Sequence, residues 1–269
     1  MNNNAIGVFD SGVGGLTCIK ELRRLLPNEN IVYLGDTARI PYGTRSKETV
    51  AKYAKQDIAF LEKHDVKMII VACGTVSAIM MTNPVFDGNI EFTGVLMPAV
   101  KAACATTKNN KIGVIGTSAT IKSCGYGKAI KNINPQIKVI GKACPLFVPL
   151  VENGYISPDN KVTRLVAEEY LEVMKKEEVD TLIMGCTHYP LLSEVFSQIL
   201  GDGVTLISPG EEAAKLAAKT LTSKQLLSDS NEEGKLELYC TDSEEMFAEN
   251  VASFLGDRVN GIISKCTLD

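Results

Sequence analysis

Short, almost uninterrupted apolar runs recur along this chain, each followed by a stretch of helical periodicity, and that alternation constrains the fold more than any other feature. Ile6-Gly7-Val8-Phe9, Ile31-Val32-Tyr33-Leu34, Met68 to Ala72, Ile112 to Ile115, Ile137 to Ile140 and Thr181 to Met184 read as strands. A strand apolar on both faces must be covered on both, which points to a parallel sheet between two helical layers. Helices are expected near Leu16 to Leu26, where Pro27 ends the run, and from about Ser46 to Lys63. Thr222 to Gly234, rich in Ser, Asp, Asn and Glu, reads as the one clear polar loop. The fold class is α/β.

The strands also repeat. Val66-Lys67-Met68-Ile69-Ile70-Val71-Ala72-Cys73 aligns with Val179-Asp180-Thr181-Leu182-Ile183-Met184-Gly185-Cys186, cysteine on cysteine, and Ile6-Gly7-Val8 aligns with Ile112-Gly113-Val114. Val32 to Gly35 matches Val139 to Gly141 more loosely. The matches share one order and nearly one offset, so the chain reads as two similar α/β halves followed by a C-terminal remainder.

With 269 residues, 45% of them hydrophobic and 22% charged, the chain can bury two cores of ordinary composition. The net charge is −4 with Lys and Arg dispersed, so no basic stripe suits nucleic acid. Met1-Asn2-Asn3-Asn4 opens no apolar stretch of signal-peptide length, and the longest apolar run, Met68 to Cys73, is too short for a bilayer. A cytoplasmic location, without membrane or nucleic-acid partners, is expected. Eight cysteines in such a chain should be reduced thiols. None stands in CxxC spacing and the only histidines are His64 and His188, so no metal site is expected. Cys18, Cys104, Cys124, Cys144, Cys240 and Cys266 read as small buried hydrophobes, and His64, at a helix end, as a surface residue.

Ligands of open α/β sheets bind at the carboxyl ends of the strands. Four polar clusters follow strands directly: Asp10-Ser11-Gly12-Val13-Gly14-Gly15, Cys73-Gly74-Thr75, Thr117-Ser118-Ala119-Thr120 and Cys186-Thr187-His188-Tyr189-Pro190. Their backbone N–H groups and hydroxyls suit carboxylates or phosphates. The first lacks the dinucleotide fingerprint GxGxxG, because Thr17 occupies the third glycine position. Cys73 and Cys186 could be buried core thiols, the usual state of cysteine. Their strand-end positions, their placement beside helix N-termini, where the dipole favours thiolate, and their equivalence in the repeat favour chemistry. Two thiols related by a pseudo-two-fold across a cleft can address opposite faces of one carbon. That arrangement suits stereoinversion, with one sulfur removing a Cα proton and the other delivering one. His188 and Asp10 stand where they could tune the two sulfurs, although Asp10 could equally cap the following helix.

Phe9-Asp10-Ser11-Gly12-Val13-Gly14-Gly15, Gly35-Asp36-Thr37-Ala38-Arg39-Ile40-Pro41-Tyr42-Gly43 and Gly185-Cys186-Thr187-His188-Tyr189-Pro190 resemble the glutamate racemases of the aspartate/glutamate racemase superfamily. The resemblance covers nearly the whole chain. It implies a cofactor-independent enzyme that interconverts L- and D-glutamate, supplies D-glutamate for peptidoglycan, and works as a homodimer. It also implies two pseudo-symmetric domains with the substrate between them. Residues 1–97 and 210–269 would form the first domain and 98–209 the second, the C-terminal segment returning to the first half. On the family pattern Cys73 and Cys186 match the catalytic bases, Cys73 serving the D form. Asp10, His188 and Glu152 match their acid–base supports. Ser11, Pro41, Tyr42, Gly43, Thr75, Thr117, Thr120 and Thr187 match substrate contacts, together with Asp10, Gly74 and His188.

One position departs. The family usually reads Ala-Cys-Asn-Thr where this chain has Ala72-Cys73-Gly74-Thr75. A lost charge-assisted hydrogen bond from that asparagine would cost ~1.5–3 kcal/mol of substrate binding unless a water or backbone N–H replaced it. Gly74→Asn is therefore expected to lower KM. Gly74 is also the sole support for an alternative, an inactive small-anion-binding homologue; a related racemase acting on aspartate is the other.

Overall fold

The computed structural model describes residues 3–81, 84–256 and 261–268; Met1 and Asn2, part of the N-terminus read above, lie outside the described residues. The first half runs β1 (Ile6–Asp10), α1 (Leu16–Leu25), β2 (Ile31–Gly35), α2 (Lys47–Glu62), β3 (Met68–Val71), α3 (Gly74–Met80) and β4 (Glu91–Gly94). Then come α4 (Leu96–Thr106), β5 (Lys111–Gly116), α5 (Ser118–Ser123), α6 (Gly125–Ile133), β6 (Lys138–Ala143), α7 (Phe147–Glu152) and α8 (Lys161–Lys176). The chain continues through β7 (Thr181–Met184), α9 (Ser193–Leu200), β8 (Thr205–Ile207), α10 (Pro209–Ser223), β9 (Leu236–Cys240), α11 (Glu244–Leu255) and β10 (Gly261–Lys265).

The strands form two sheets, ordered β10-β9-β2-β1-β3-β4 and β6-β5-β7-β8, and every pairing is parallel. The second sheet repeats the order of β2-β1-β3-β4, so β1 corresponds to β5 and β3 to β7, as the sequence repeat requires. Every residue of β1, β2, β3 and β7 is buried, the pattern of strands covered on both faces. β9 alternates instead, because it lies nearer the edge.

β9 and β10 extend the first sheet on the β2 side. α10 packs on α1, where Leu16, Ile19 and Leu22 share a core with Ala213, Ala217 and Leu221. The polar loop after α10 is pinned by a buried ion pair, Lys67 Nζ to Glu29 Oε2 at 2.5 Å. Lys67 also donates to Leu226 O, and Ser228 N donates to Glu29 Oε1. Residue 97, where the sequence divides the two domains, lies inside α4.

Among the described residues no helix is long and apolar enough to cross a membrane. All eight cysteines are free thiols, but they are not uniformly buried. Cys104 and Cys266 are half-buried, and Cys124 is exposed, held at φ 55° in the left-handed turn between α5 and α6. His64 is also less exposed than expected, packing between Phe60 and Tyr239 with ring centroids 4.5 and 5.0 Å away.

Candidate active site

The carboxyl ends of β1, β3, β5 and β7 converge on one cavity of about 400 Å³. Both Cys73, which follows β3, and Cys186, which follows β7, line it. So do the other residues matched from the sequence, with one exception: Thr120 lies behind the wall, its hydroxyl 3.0 Å from that of Thr117. Thr117 is the N-cap of α5, accepting from Thr120 N, which draws Thr120 back under the helix. The Thr117 hydroxyl also meets that of Thr75 at 3.2 Å, joining the two halves across the cavity. Among the described residues no Lys or Arg lines the cavity; its polar wall consists of hydroxyls and backbone, with the Asp10 and Glu152 carboxyls and the His188 imidazole beside the two thiols.

The two sulfurs sit in equivalent places with different partners. Cys73 is the N-cap residue of α3, 4% exposed, and its thiol donates to Ser11 Oγ at 3.6 Å. The Asp10 carboxyl is its other neighbour. The position at a helix start does not make this thiol acidic. Burial first, and Asp10 second, push Cys73 up to about 12, because desolvating a thiolate outweighs the first turn of a seven-residue helix. The helix start does favour the thiolate, through the Val76 N–H, but burial and Asp10 outweigh it on this side.

Asp10 resolves its two readings by doing part of each. Its Oδ2 accepts from Gly15 N at 2.9 Å, tying down the head of α1. Its Oδ1 is buried without a hydrogen-bond partner. Burial raises its pKa, opposed chiefly by the charge of His188.

Around Cys186 the support is a relay. The sulfur lies 3.8 Å from His188 Nδ1, and His188 Nε2 lies 2.9 Å from Glu152 Oε1. Burial alone would depress His188. The hydrogen bonds and charges of Cys186 and Glu152 outweigh it, and the imidazole is pushed up to about 10 from an ordinary 6.5. A protonated imidazole here is the counter-charge a thiolate on Cys186 requires. Cys186 is followed not by an α-helix but by a 3-10 turn, Tyr189–Leu192, so the imidazole supplies what a helix start would have.

Glycines set the approach of the two halves. A β-carbon on Gly14 would lie 2.2 Å from Thr187 Oγ1 and 2.5 Å from His188 Nδ1. The glycine-rich turn after β1 therefore admits the Cys186 segment, and Thr17 fixes the contact by donating to Thr187 O at 2.9 Å. A β-carbon on Gly74 would lie 2.4 Å from the carbonyl oxygen of Gly185. The space expected there for an asparagine side chain is occupied by the backbone of the other half, and that overturns the expectation drawn from sequence for Gly74→Asn.

Several contributors carried no sequence signal. Pro145, Val148 and Pro149 form an apolar wall beside Glu152, and Phe254 of α11 meets the His188 ring edge-on at 5.8 Å. Such residues are recognisable only once topology assembles them. Among the described residues no group of three or more His, Cys, Asp or Glu side chains is arranged to hold a metal.

Comparison with known proteins agrees with this geometry. The family model described as Asp/Glu/Hydantoin racemase matches residues 6–217. The glutamate racemase of Geobacter metallireducens is 44% identical over 258 residues, 96% of this chain and 95% of that protein. The crystal structure of glutamate racemase isoform RacE1 from Bacillus anthracis superposes with a TM-score of 0.93 at 38% identity, covering 100% of this chain and 99% of that one. The Francisella tularensis glutamate racemase, solved in complex with D-glutamate, gives 0.90 at 39% identity, covering 100% and 99%. The chain belongs to the Asp/Glu/Hydantoin racemase family and, within it, to the glutamate racemases.

Proposed function

We propose that this chain racemises glutamate by two-base proton transfer, with Cys73 and Cys186 as the two bases. The observation that carries the reading is the delivery of both sulfurs to one cavity from corresponding strand ends of two sheets of the same order. In one direction a thiolate on one cysteine takes the Cα proton while the thiol of the other gives a proton to the opposite face. The net change is inversion at carbon and exchange of protonation between the sulfurs. Reversal swaps the roles.

The surrounding groups supply what each sulfur needs. His188, held by Glu152, balances negative charge on Cys186 and gives the proton back when that sulfur must act as acid. Asp10 Oδ1, buried and unpartnered, is the acceptor offered to the substrate ammonium. That cation beside Cys73 would offset the desolvation and the carboxyl that now hold the thiol up. The hydroxyls of Ser11, Thr75, Thr117 and Thr187, with the backbone at the starts of α3 and α5, suit two carboxylates and an enolate-like transition state.

The reaction so written requires no cofactor. The same reading places the product in peptidoglycan synthesis in the cytoplasm, the working form as a homodimer, and the domains at 1–97 with 210–269 and at 98–209. Circular dichroism of L-glutamate, D-glutamate and L-aspartate, each incubated with pure protein after EDTA treatment and without pyridoxal phosphate, tests the activity. Loss of signal from both glutamate enantiomers and not from aspartate is expected. Unchanged glutamate signals alongside measurable glutamate binding would mark an inactive binding protein, and preference for aspartate would reassign the substrate.

A further inference from the structure

Two carboxyls and a phenol are buried together beside a half-buried guanidinium behind the Pro41-Tyr42-Gly43 wall of the cavity, and the proton transfer uses none of them. Asp36 follows β2 and Asp57 lies in the middle of α2; these two carboxyls and Tyr42 are at most 1% exposed. Asp36 receives three donors. Arg39 Nε at 2.5 Å and the Tyr42 hydroxyl reach its Oδ2, and the Thr241 hydroxyl reaches Oδ1 at 2.9 Å. Asp57 accepts from Arg39 Nη2 on Oδ1 at 3.1 Å, and its Oδ2 lies 3.1 Å from the Tyr42 oxygen. A phenol carries one hydrogen, and the closer acceptor, Asp36, takes it. Asp57 Oδ2 and the Tyr42 oxygen would then be two acceptors facing each other in a dry site, unless Asp57 itself supplies a hydrogen.

We propose that Asp57 is a neutral carboxylic acid which donates its proton to the Tyr42 oxygen and so positions the Pro41-Tyr42-Gly43 wall against the substrate. Charge counting agrees. One guanidinium, shared by both carboxyls and with the Tyr53 ring 4.2 Å from its Cζ, balances one negative charge, so ionising both carboxyls would leave a net buried charge uncompensated. Burial, then the neighbouring Asp36, pushes the Asp57 carboxyl well above the usual carboxylate range, against the opposing charge of Arg39 and the contact with Tyr42. The anchoring reaches the active site because the turn Tyr42–Thr44, which lines the cavity, packs on α5 of the second half. Asp57 is thus a positioning residue.

The role in positioning rests on the glutamate racemase reading, but the protonation state does not. Asp57→Asn preserves the arrangement, since an amide N–H can donate to Tyr42 and the amide oxygen can accept from Arg39. It should hold kcat and KM within about threefold, whereas Asp57→Ala should raise KM about tenfold with a smaller change in kcat. Infrared difference spectra of ligand-free protein at neutral pH, wild type minus Asp57→Asn, should show a protonated-carboxyl band that shifts in D2O. Any contribution from Asp10 is common to both proteins and cancels. Absence of that band, or an Asp57→Asn protein that is folded by far-ultraviolet dichroism yet as impaired as Asp57→Ala, would overturn the assignment. The spectrum needs no turnover, so its failure is distinct from failure of the racemase reading.

Discussion

Replacing Gly74 with asparagine sets a β-carbon 2.4 Å from the carbonyl oxygen of Gly185, where real β-carbon contacts essentially never fall below 3.0 Å. The gap must widen by about 0.6 Å or more, and both sides are backbone. Gly74 opens α3, and Gly185 is held by its N–H to Ile115 O at 2.7 Å. Neither can swing aside, so the ends of β3 and β7, which carry the two sulfurs, must part. Overpacking of this kind costs ~1–3 kcal/mol, roughly 5- to 150-fold if it falls on the closed, reactive state. A displacement of this size between reacting groups can by itself cost on the order of a hundredfold. We expect kcat/KM for both enantiomers to fall about ten- to a hundredfold, with most of the loss in kcat. Initial rates followed by circular dichroism in each direction, with a thermal melt of each protein, measure this. Gly74→Ala is the control, because it adds the same β-carbon without a polar group and should lose nearly as much. An Asn variant with lower KM and unchanged kcat would show that the site has room for the side chain and would refute the steric argument.

Further consequences follow from the relay and from the buried ion pair. Glu152→Gln removes a charge that helps hold His188 at about 10, so the basic limb of the kcat/KM profile should move toward neutral pH; an unmoved limb would detach His188 from that limb. His188 holds its proton more tightly folded than unfolded. Its contribution to stability is therefore complete below its ordinary 6.5 and lost as pH rises through about 10. Melting temperatures across that window should drop less in Glu152→Gln than in wild type. Lys67→Met leaves Glu29 buried without its cation and should cost about 3–5 kcal/mol in urea unfolding; a loss under about 1 kcal/mol would show that solvent reaches the pair.

The fold was legible because its signals are local. Apolar runs flanked by turns located β1, β3, β5 and β7, and the cysteine-on-cysteine repeat anticipated that two sheets would share one strand order. Ser46, the N-cap of α2, and Pro27 after α1 bounded helices within a residue or two of where they lie. The site was legible where chemistry and motif coincide, at Cys73, Cys186, His188 and Asp10. What sequence could not supply was distance across the interface between the halves. Gly74 read as a missing side chain and proved to be a contact with Gly185. Thr120 shares the motif of Thr117 but is turned under α5 by the cap. The burial that pushes Cys73 up carried no sequence signal, because it is a tertiary property that no dipole argument contains. Asp57 gave no signal, since an acid in mid-helix ordinarily faces water.

The assignment of one thiol to each face of the carbon is tested most directly by elimination. With a glutamate analogue bearing a leaving group on Cβ, removal of the Cα proton expels that group, and only one base is needed. Serine hydroxyls are far too weakly acidic to replace either thiol near neutral pH. Cys73→Ser and Cys186→Ser should therefore each lose racemisation while each keeps elimination from one enantiomer. Following the family pattern, Cys186→Ser should act on the D analogue through Cys73, and Cys73→Ser on the L analogue through Cys186. Elimination from the same enantiomer by both variants, or full racemase activity in either, would contradict the two-base account.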